Sequence, residues 1–297
     1  MIAPQHHGIV VIGAGIAGAS IAHEIISRGH AVCVVEAESG PATACSSHAY
    51  AIAHPHITRG STKLLQLTRI AFELALARWG DQWAYRGALH PIKNGVDFDR
   101  DAIALQLKDL GLRSEIALPV SAEQASQLAG AARAGVWFAN AGMLSLEKTT
   151  KQLLHPCAQL TQINQMQIDT VAHEGNRWLL TDASKNITLS ADKVIVAAGL
   201  ASKKILGSIQ IKLPLKPVRG QLSFFKVRPN SNWAARLPHA IICGDGYCIP
   251  ASRLENGDMR WIVGSSFDEN ETDNQARYES DRFNQEQAAG LLNYAEG

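Results

Sequence analysis

An apolar run, Ile9-Val10-Val11-Ile12, breaks into Gly13-Ala14-Gly15-Ile16-Ala17-Gly18, and this junction constrains the chain more than any other feature. The β-branched residues predict a buried strand, and the glycines predict a tight turn into a helix whose first amides face an anion. Gly13 permits the turn, Gly15 has no Cβ to block a diphosphate, and Gly18 lets helix and strand pack closely. A helix is expected over Ala19–Arg28, stopped by Gly29, before a second strand Val32-Cys33-Val34-Val35 that ends at Glu36. A carboxylate there can accept both hydroxyl hydrogens of an adenosine ribose and repels a ribose phosphate, which favours FAD or NAD over NADP.

The chain has 297 residues, 46% hydrophobic and 19% charged, enough for one large core or two smaller ones. No run of 18 apolar residues occurs, so no membrane-spanning helix is expected. The N-terminus has no basic, apolar and cleavage regions in succession, and the expected location is cytoplasmic. Five cysteines, odd in number and without CxxC, fit reduced thiols. His6-His7 and His54-Pro55-His56 have no neighbours that complete a ligand set, so no metal is expected.

The small residues of Ser39–Ala53 let that loop come close to a ligand. Ser61 is expected to cap a helix to Trp79, with Leu64, Leu67, Ile70, Ala71, Leu74 and Arg78 at helical spacing and most of that stripe in the core. A strand near Ala88–Phe98 follows, then helices over Arg100–Leu110, from the cap Ser121 to Ala132, and from the cap Ser145 through Ala158, with a strand at Val136–Phe138 between the last two. Gln165–Asp169 and Arg177–Thr181 alternate as a hairpin. Val194–Gly199 reads as a buried strand returning to the nucleotide sheet, so the α/β cofactor domain is discontinuous, with expected bounds 1–82 and 141–214. Short alternating strands at Gln221–Val227, Ala240–Cys243, Tyr247–Pro250 and Arg260–Gly264 predict an antiparallel substrate sheet in the remainder, 83–140 and 215–297. A polar helix is expected over Asp273–Tyr294.

The net charge of +1 conceals a segregation. From Lys193 to Gly244 there are nine Lys and Arg residues, Lys193 to Arg236, and no acid. Such a stretch is either a set of solvated strand faces and turns or a surface for a polyanion.

The glycine fingerprint with Glu36, the loop Ala44–Pro55, Val194–Gly199 and Pro217-Val218-Arg219-Gly220-Gln221 resemble the D-amino-acid-oxidase class of FAD enzymes. Within that class, Asn140–Ser145, Cys243–Pro250 and Val263–Phe267 are similar to the oxidoreductase half of the bifunctional enzymes that modify the tRNA wobble uridine. The resemblance implies a two-dinucleotide-binding-type, Rossmann-like FAD domain with an inserted α+β substrate domain, and noncovalent FAD. It implies oxidative removal of the carboxymethyl group from carboxymethylaminomethyl uridine, giving glyoxylate and aminomethyl uridine, with the flavin supplying the redox chemistry. A free amine or amino acid of the glycine- or sarcosine-oxidase kind is the alternative substrate, and a cofactor-binding protein without turnover is a third reading.

Carried over by resemblance, Gly13, Gly15, Ile16, Ala17, Gly18, Glu36 and Ala37 hold the ADP half. Ser46, Ser47 and His48 lie along the diphosphate towards the flavin, Ile168 meets the adenine, and Ala198-Gly199 close over the cofactor. Arg219, Gln221 and Tyr247 face the substrate. The implied partners are tRNA, through Lys193 to Arg236, and a methyltransferase domain or protein. Ala51 stands where the class usually has glycine. The class also continues beyond position 297 through a glycine-rich segment that covers the flavin, which predicts weaker FAD binding and poor turnover for a 297-residue form.

Overall fold

A computed structural model describes residues 4–48, 50–57, 62–93, 95–131, 133–232, 234–244, 246–273 and 275–292. In chain order the strands are β1 (Gln5–Ile12), β2 (Val32–Val35), β3 (Ala51–Ala53), β4 (Arg86–Pro91), β5 (Leu118–Val120), β6 (Gly135–Leu144), β7 (Leu160–Ile163) and β8 (Thr170–Glu174). They continue with β9 (Arg177–Asp182), β10 (Ile187–Val196), β11 (Val218–Arg219), β12 (Leu222–Val227), β13 (Ile241–Cys243), β14 (Tyr247–Arg253), β15 (Met259–Gly264) and β16 (Asp268–Glu269). The helices are α1 (Ile16–Ser27), α2 (Lys63–Trp79), α3 (Arg100–Asp109), α4 (Ala122–Ala129), α5 (Leu146–Leu153), α6 (Ser202–Gly207) and α7 (Tyr278–Leu292).

The chain divides into two units, 1–51 with 145–216 and 52–144 with 217–297. The boundary expected at residue 82 therefore falls at 51. Residues 52–82 go with the second unit because β3 is the edge strand of its sheet.

The first unit is built on a six-stranded sheet in the order β7-β2-β1-β10-β9-β8. β1 pairs in parallel with β2 and with β10, Gln5 facing Leu189 and Ile12 facing Val196. β9 and β8 extend the sheet as an antiparallel hairpin. Val10, Ile12, Cys33, Val35, Leu180 and Leu189 form its buried core together with Ile168 and with Ile205 of α6. The hairpin's first strand is Thr170–Glu174 rather than Gln165–Asp169. Residues 165 and 166 are drawn to the end of β2 instead, where the Gln165 and Met166 amides donate to the carbonyls of Glu38 and Glu36.

The second unit contains an eight-stranded sheet, β12-β15-β14-β13-β4-β6-β3, with β5 paired to β6. β12, β15, β14 and β13 pair antiparallel in succession, as β4 and β5 do with β6, whereas β13 runs parallel to β4. One face is packed by α4 and α7: Ala125, Ala129, Ala288 and Leu291 join Leu89, Val227, Ile242, Cys248, Trp261 and Val263 in one cluster. Since successive strand residues alternate between faces, Tyr247 stands on the face opposite Cys248.

Local signals explain the helix ends. Ser121 makes a full capping box with Gln124, and Gly130 at φ +73° ends α4 at Ala129; Ala132, the end expected from sequence, is outside the described residues. The Ser145 hydroxyl accepts from the Lys148 amide, and α5 stops at Leu153, three residues before Pro156. Thr62 caps α2 by accepting from the Leu65 amide, while Ser61 lies outside the described residues. β4 ends at Pro91, short of Phe98, and α7 begins at Tyr278 rather than Asp273, its expected end Tyr294 being outside the described residues.

The core face of α2 is a correction. Leu65 and Phe72 are buried, whereas Leu64, Leu67, Ile70 and Leu74 are 52–66% exposed. This helix is apolar on both flanks, and periodicity alone cannot say which flank is buried.

Candidate functional site

The glycine turn at the end of β1 is a cradle defined by what a Cβ would strike. A Cβ on Gly18 would lie 1.9 Å from the Gly13 carbonyl oxygen, so α1 touches the strand it follows. Gly13 has φ +104°, and a Cβ there would lie 2.5 Å from the Ala197 carbonyl oxygen, just past β10. On Gly15 it would lie 3.1 Å from the Ser46 hydroxyl. Ser46 Oγ accepts from the Ile16 amide at 2.9 Å, and the Ala42 amide donates to the Ala14 carbonyl at 3.2 Å, so the loop after β2 folds back over the start of α1.

Glu36 is held at the tip of β2. Its Oε2 accepts from the Ala14 amide at 2.7 Å, and its Oε1 accepts from the Glu38 amide at 3.0 Å. Its backbone is fixed as well, the amide donating to Ile163 and the carbonyl accepting from Met166. Ala17 and Ala37 are exposed, Ser47 is exposed with its amide on the Ala44 carbonyl, and Ile168 is buried in the core of the first unit. The His48 carbonyl accepts from the Leu146 amide, its Nδ1 accepts from the Tyr50 amide at 2.9 Å, and burial lowers its pKa. The Ala197 amide donates to Ile12, so Ala198 and Gly199, the latter at φ +54°, lie just past the end of the strand beside Gly13. The sequence reading missed Ala14, Ala42 and Ala197; the positive φ of Ala42, +62°, leaves no mark in an alanine-rich loop.

Arg219 and Gln221 are placed differently from the expectation that they face a substrate. Arg219 is buried and donates to Asp268 at 2.6 Å, Gln221 Oε1 at 2.7 Å, Ser280 at 3.3 Å and the Gln275 carbonyl. Gln221 Nε2 donates to Asp281 at 2.7 Å and to the Arg277 carbonyl at 2.9 Å, and its own carbonyl accepts from Asn284. Their polar atoms are turned to protein groups, and what they do is fasten α7 to β12. Tyr247 starts β14 on the face away from α7, and burial pushes the pKa of its hydroxyl well up, so it is a neutral hydrogen-bonding group.

The residues of the first unit fit a dinucleotide. Glycine backbone leaves room at the helix N-terminus, where the dipole favours negative charge, and a carboxylate is pre-oriented at the tip of the second strand. The family model described as FAD dependent oxidoreductase, DAO, matches residues 8–296. The chain belongs to this family.

Among relatives, it is 30% identical over 297 residues to "tRNA 5-methylaminomethyl-2-thiouridine biosynthesis bifunctional protein MnmC" of Ralstonia nicotianae, covering 97% of this chain and 44% of that protein. It is 29% identical over 301 residues to the protein of the same name from Thiobacillus denitrificans, covering 98% and 46%. The chain thus spans less than half the length of these relatives. The fold is similar to that of glycine oxidase from Geobacillus kaustophilus, with a TM-score of 0.75 at 16% identity, covering 97% of this chain and 79% of that one. It is also similar to L-α-glycerophosphate oxidase from Mycoplasma pneumoniae with FAD bound, at TM-score 0.69, 12% identity and coverage of 98% and 80%.

As a DAO-family oxidoreductase the chain uses FAD, which supplies a two-electron acceptor when bound. The residues whose geometry would suit holding it are Glu36 for the ribose, and Gly15, Ile16 and Ser46 around the diphosphate. Among the described residues no group of His, Cys, Asp and Glu could hold a metal ion, and no helix is long and apolar enough to cross a membrane.

Proposed function

We propose that this oxidoreductase acts on the secondary amine of carboxymethylaminomethyl-(2-thio)uridine at the tRNA wobble position. Oxidation of the carbon–nitrogen bond of the carboxymethyl arm gives an imine, and water hydrolyses it to glyoxylate and aminomethyl uridine. The observation that carries this reading is the match to MnmC proteins along 97% of the chain. The bifunctional character of those relatives suggests a methyltransferase, on the same or another chain, as the consumer of the product amine.

The basic stretch supports an RNA partner in a reduced form. Lys193, Lys203, Lys212 and Lys216 are exposed on the first unit, and Arg228 on the second. Arg219 is interior, Lys204 is paired with Asp169 at 2.7 Å and Lys226 with Asp258 at 2.6 Å, so these three contribute less than sequence suggests. Of the three substrate-side candidates Tyr247 alone is kept for contact with substrate, since Arg219 and Gln221 spend their polar atoms on fastening α7.

The test is to incubate FAD-loaded protein with tRNA bearing the carboxymethylaminomethyl group, then measure glyoxylate and the wobble nucleosides. Aminomethyl uridine and glyoxylate in equal amounts are the expected result. Oxidation of glycine or sarcosine with the tRNA unchanged would favour the second reading, a small-amine oxidase, which the likeness to glycine oxidase supports.

A further inference from the structure

The sheet of the second unit carries three successive rows on one face. Leu222, Gly264 and Tyr247 lie opposite one another across β12, β15 and β14; Phe224, Ile262 and Ile249 form the next row, and Lys226, Arg260 and Ser252 the row beyond. Directly opposed residues share a face, so all three rows look to one side, while Ser223, Phe225 and Val227 look to the other, where α7 packs. An aromatic ring and a run of cations therefore stand on the face that carries Tyr247.

Phe224 is not placed as a core residue. Ile249 and Ile262 of its own row are buried, whereas Phe224, on the edge strand β12, is 54% exposed. The guanidinium carbon of Arg260 lies 5.9 Å from the centre of its ring, a cation–π contact that orients both groups. Lys226 and Arg228 are exposed beside them. Asp258 offsets part of this charge: it pairs with Lys226 at 2.6 Å, and that hydrogen bond, helped by the charges of Lys226 and Arg228, holds its carboxyl below the usual carboxylate range. Arg253 and Glu255, both exposed where β14 ends, cancel in net charge. Three cations against one carboxylate leave the surroundings of the ring positive.

We propose that Phe224 and Arg260 form a stacking platform for an unpaired nucleobase of an RNA strand, with Arg260 and Arg228 meeting the flanking phosphates. A nucleobase has a π face that suits both an aromatic ring and a guanidinium plane, and it brings phosphates on either side; an acidic peptide would satisfy the cations and leave the ring in water. Phe224 lies two strands over and two residues along from Tyr247, roughly 12 Å across the sheet. That places it within reach of a nucleotide flanking the one whose modified arm meets Tyr247. The inference rests on the reading of the substrate as tRNA.

The test uses the FAD-loaded full-length chain with a labelled anticodon stem–loop RNA and, beside it, a fully paired RNA duplex, binding being followed by fluorescence anisotropy. Phe224→Ala and Phe224→Leu are each expected to weaken stem–loop binding about tenfold or more, the scale of one stacked base, while Phe224→Tyr keeps it within about twofold. Duplex binding should be alike in all three, and the urea midpoint should not move, since the ring is exposed. Wild-type stem–loop affinity in Phe224→Ala, a leucine as good as a tyrosine, or equal losses for stem–loop and duplex would overturn the proposal. Glyoxylate release from modified tRNA separates this from the reaction: release with no dependence of binding on Phe224 defeats the platform alone, and Phe224-dependent binding without release defeats the reaction alone.

Discussion

Glu36 and Ala14 meet across the tips of β2 and β1, the alanine amide donating to the glutamate Oε2 at 2.7 Å. A carboxylate already oriented by main-chain amides loses little freedom when a ribose arrives, and its contribution to affinity is correspondingly direct. Glu36→Ala should weaken FAD binding by about 1.5 to 3 kcal/mol, the scale of hydrogen bonds to a charged group. Quenching of flavin fluorescence by wild type and variant gives the two constants. Equal constants would show that the ribose is held elsewhere.

The two glycines of the cradle should not be equivalent. At Gly18 an added Cβ meets a backbone carbonyl at 1.9 Å, and at Gly15 it meets a serine hydroxyl at 3.1 Å. Gly18→Ala is expected to cost about 1 to 3 kcal/mol of stability, as overpacking does, and to lose flavin, whereas Gly15→Ala should fold normally and lose flavin alone. Urea unfolding paired with the flavin absorbance of purified protein distinguishes the two outcomes.

Arg219 tests whether the α7 network is structural. Removing it leaves Asp268 and Gln221 without their shared donor, a loss of roughly 3 kcal/mol for a largely buried pair. Arg219→Ala should therefore lower the urea midpoint while leaving the FAD constant unchanged. A variant of full stability that fails only in turnover would return Arg219 to the substrate side.

Acid should destabilise the fold through His54, whose ring lies tilted against Phe138 with centroids 5.7 Å apart and whose pKa burial lowers from the ordinary 6.5. Well above pH 6.5 neither folded nor unfolded chain carries this proton. Below it the unfolded chain takes up a proton that the folded chain refuses, so stability falls until the folded pKa is passed, by at most about 1.4 kcal/mol per pH unit. In His54→Phe the difference in unfolding free energy between pH 7.5 and pH 5 should shrink; an unchanged difference would remove His54 as a cause.

On α2, Leu65→Ala should cost about 2 to 5 kcal/mol, and Leu67→Gln or Leu74→Gln no more than about 0.5 kcal/mol. The reverse order would put the exposed flank in the core.

That helix shows where sequence reading stops. Leu64, Leu67 and Leu74 repeat as regularly as Leu65 and Phe72, and only the partner surface chooses between the flanks. The cradle was legible because Gly13, Gly15, Gly18 and Glu36 act through backbone geometry over a short span. Arg219 was not, because its partners Asp268, Gln275 and Ser280 lie 49 to 61 positions away, and a buried arginine looks in sequence like an exposed one. The hairpin strand lies several residues beyond its expected place because Gln165–Asp169 alternates like a strand, while the Gln165 and Met166 amides are committed to the end of β2.

The ladder between β1 and β10, in which Gln5 faces Leu189 and Ile12 faces Val196, sets an order of assembly on a growing chain. At about 5 to 20 residues per second, the strand that leads into the phosphate turn waits roughly 10 to 40 s for its second neighbour. During that interval one row of its amides and carbonyls is open, and the Ala197 carbonyl that crowds Gly13 has not been made. Completion of the cradle therefore waits for β10 and Ala197, by which time residues 52–144 of the second unit have already been made.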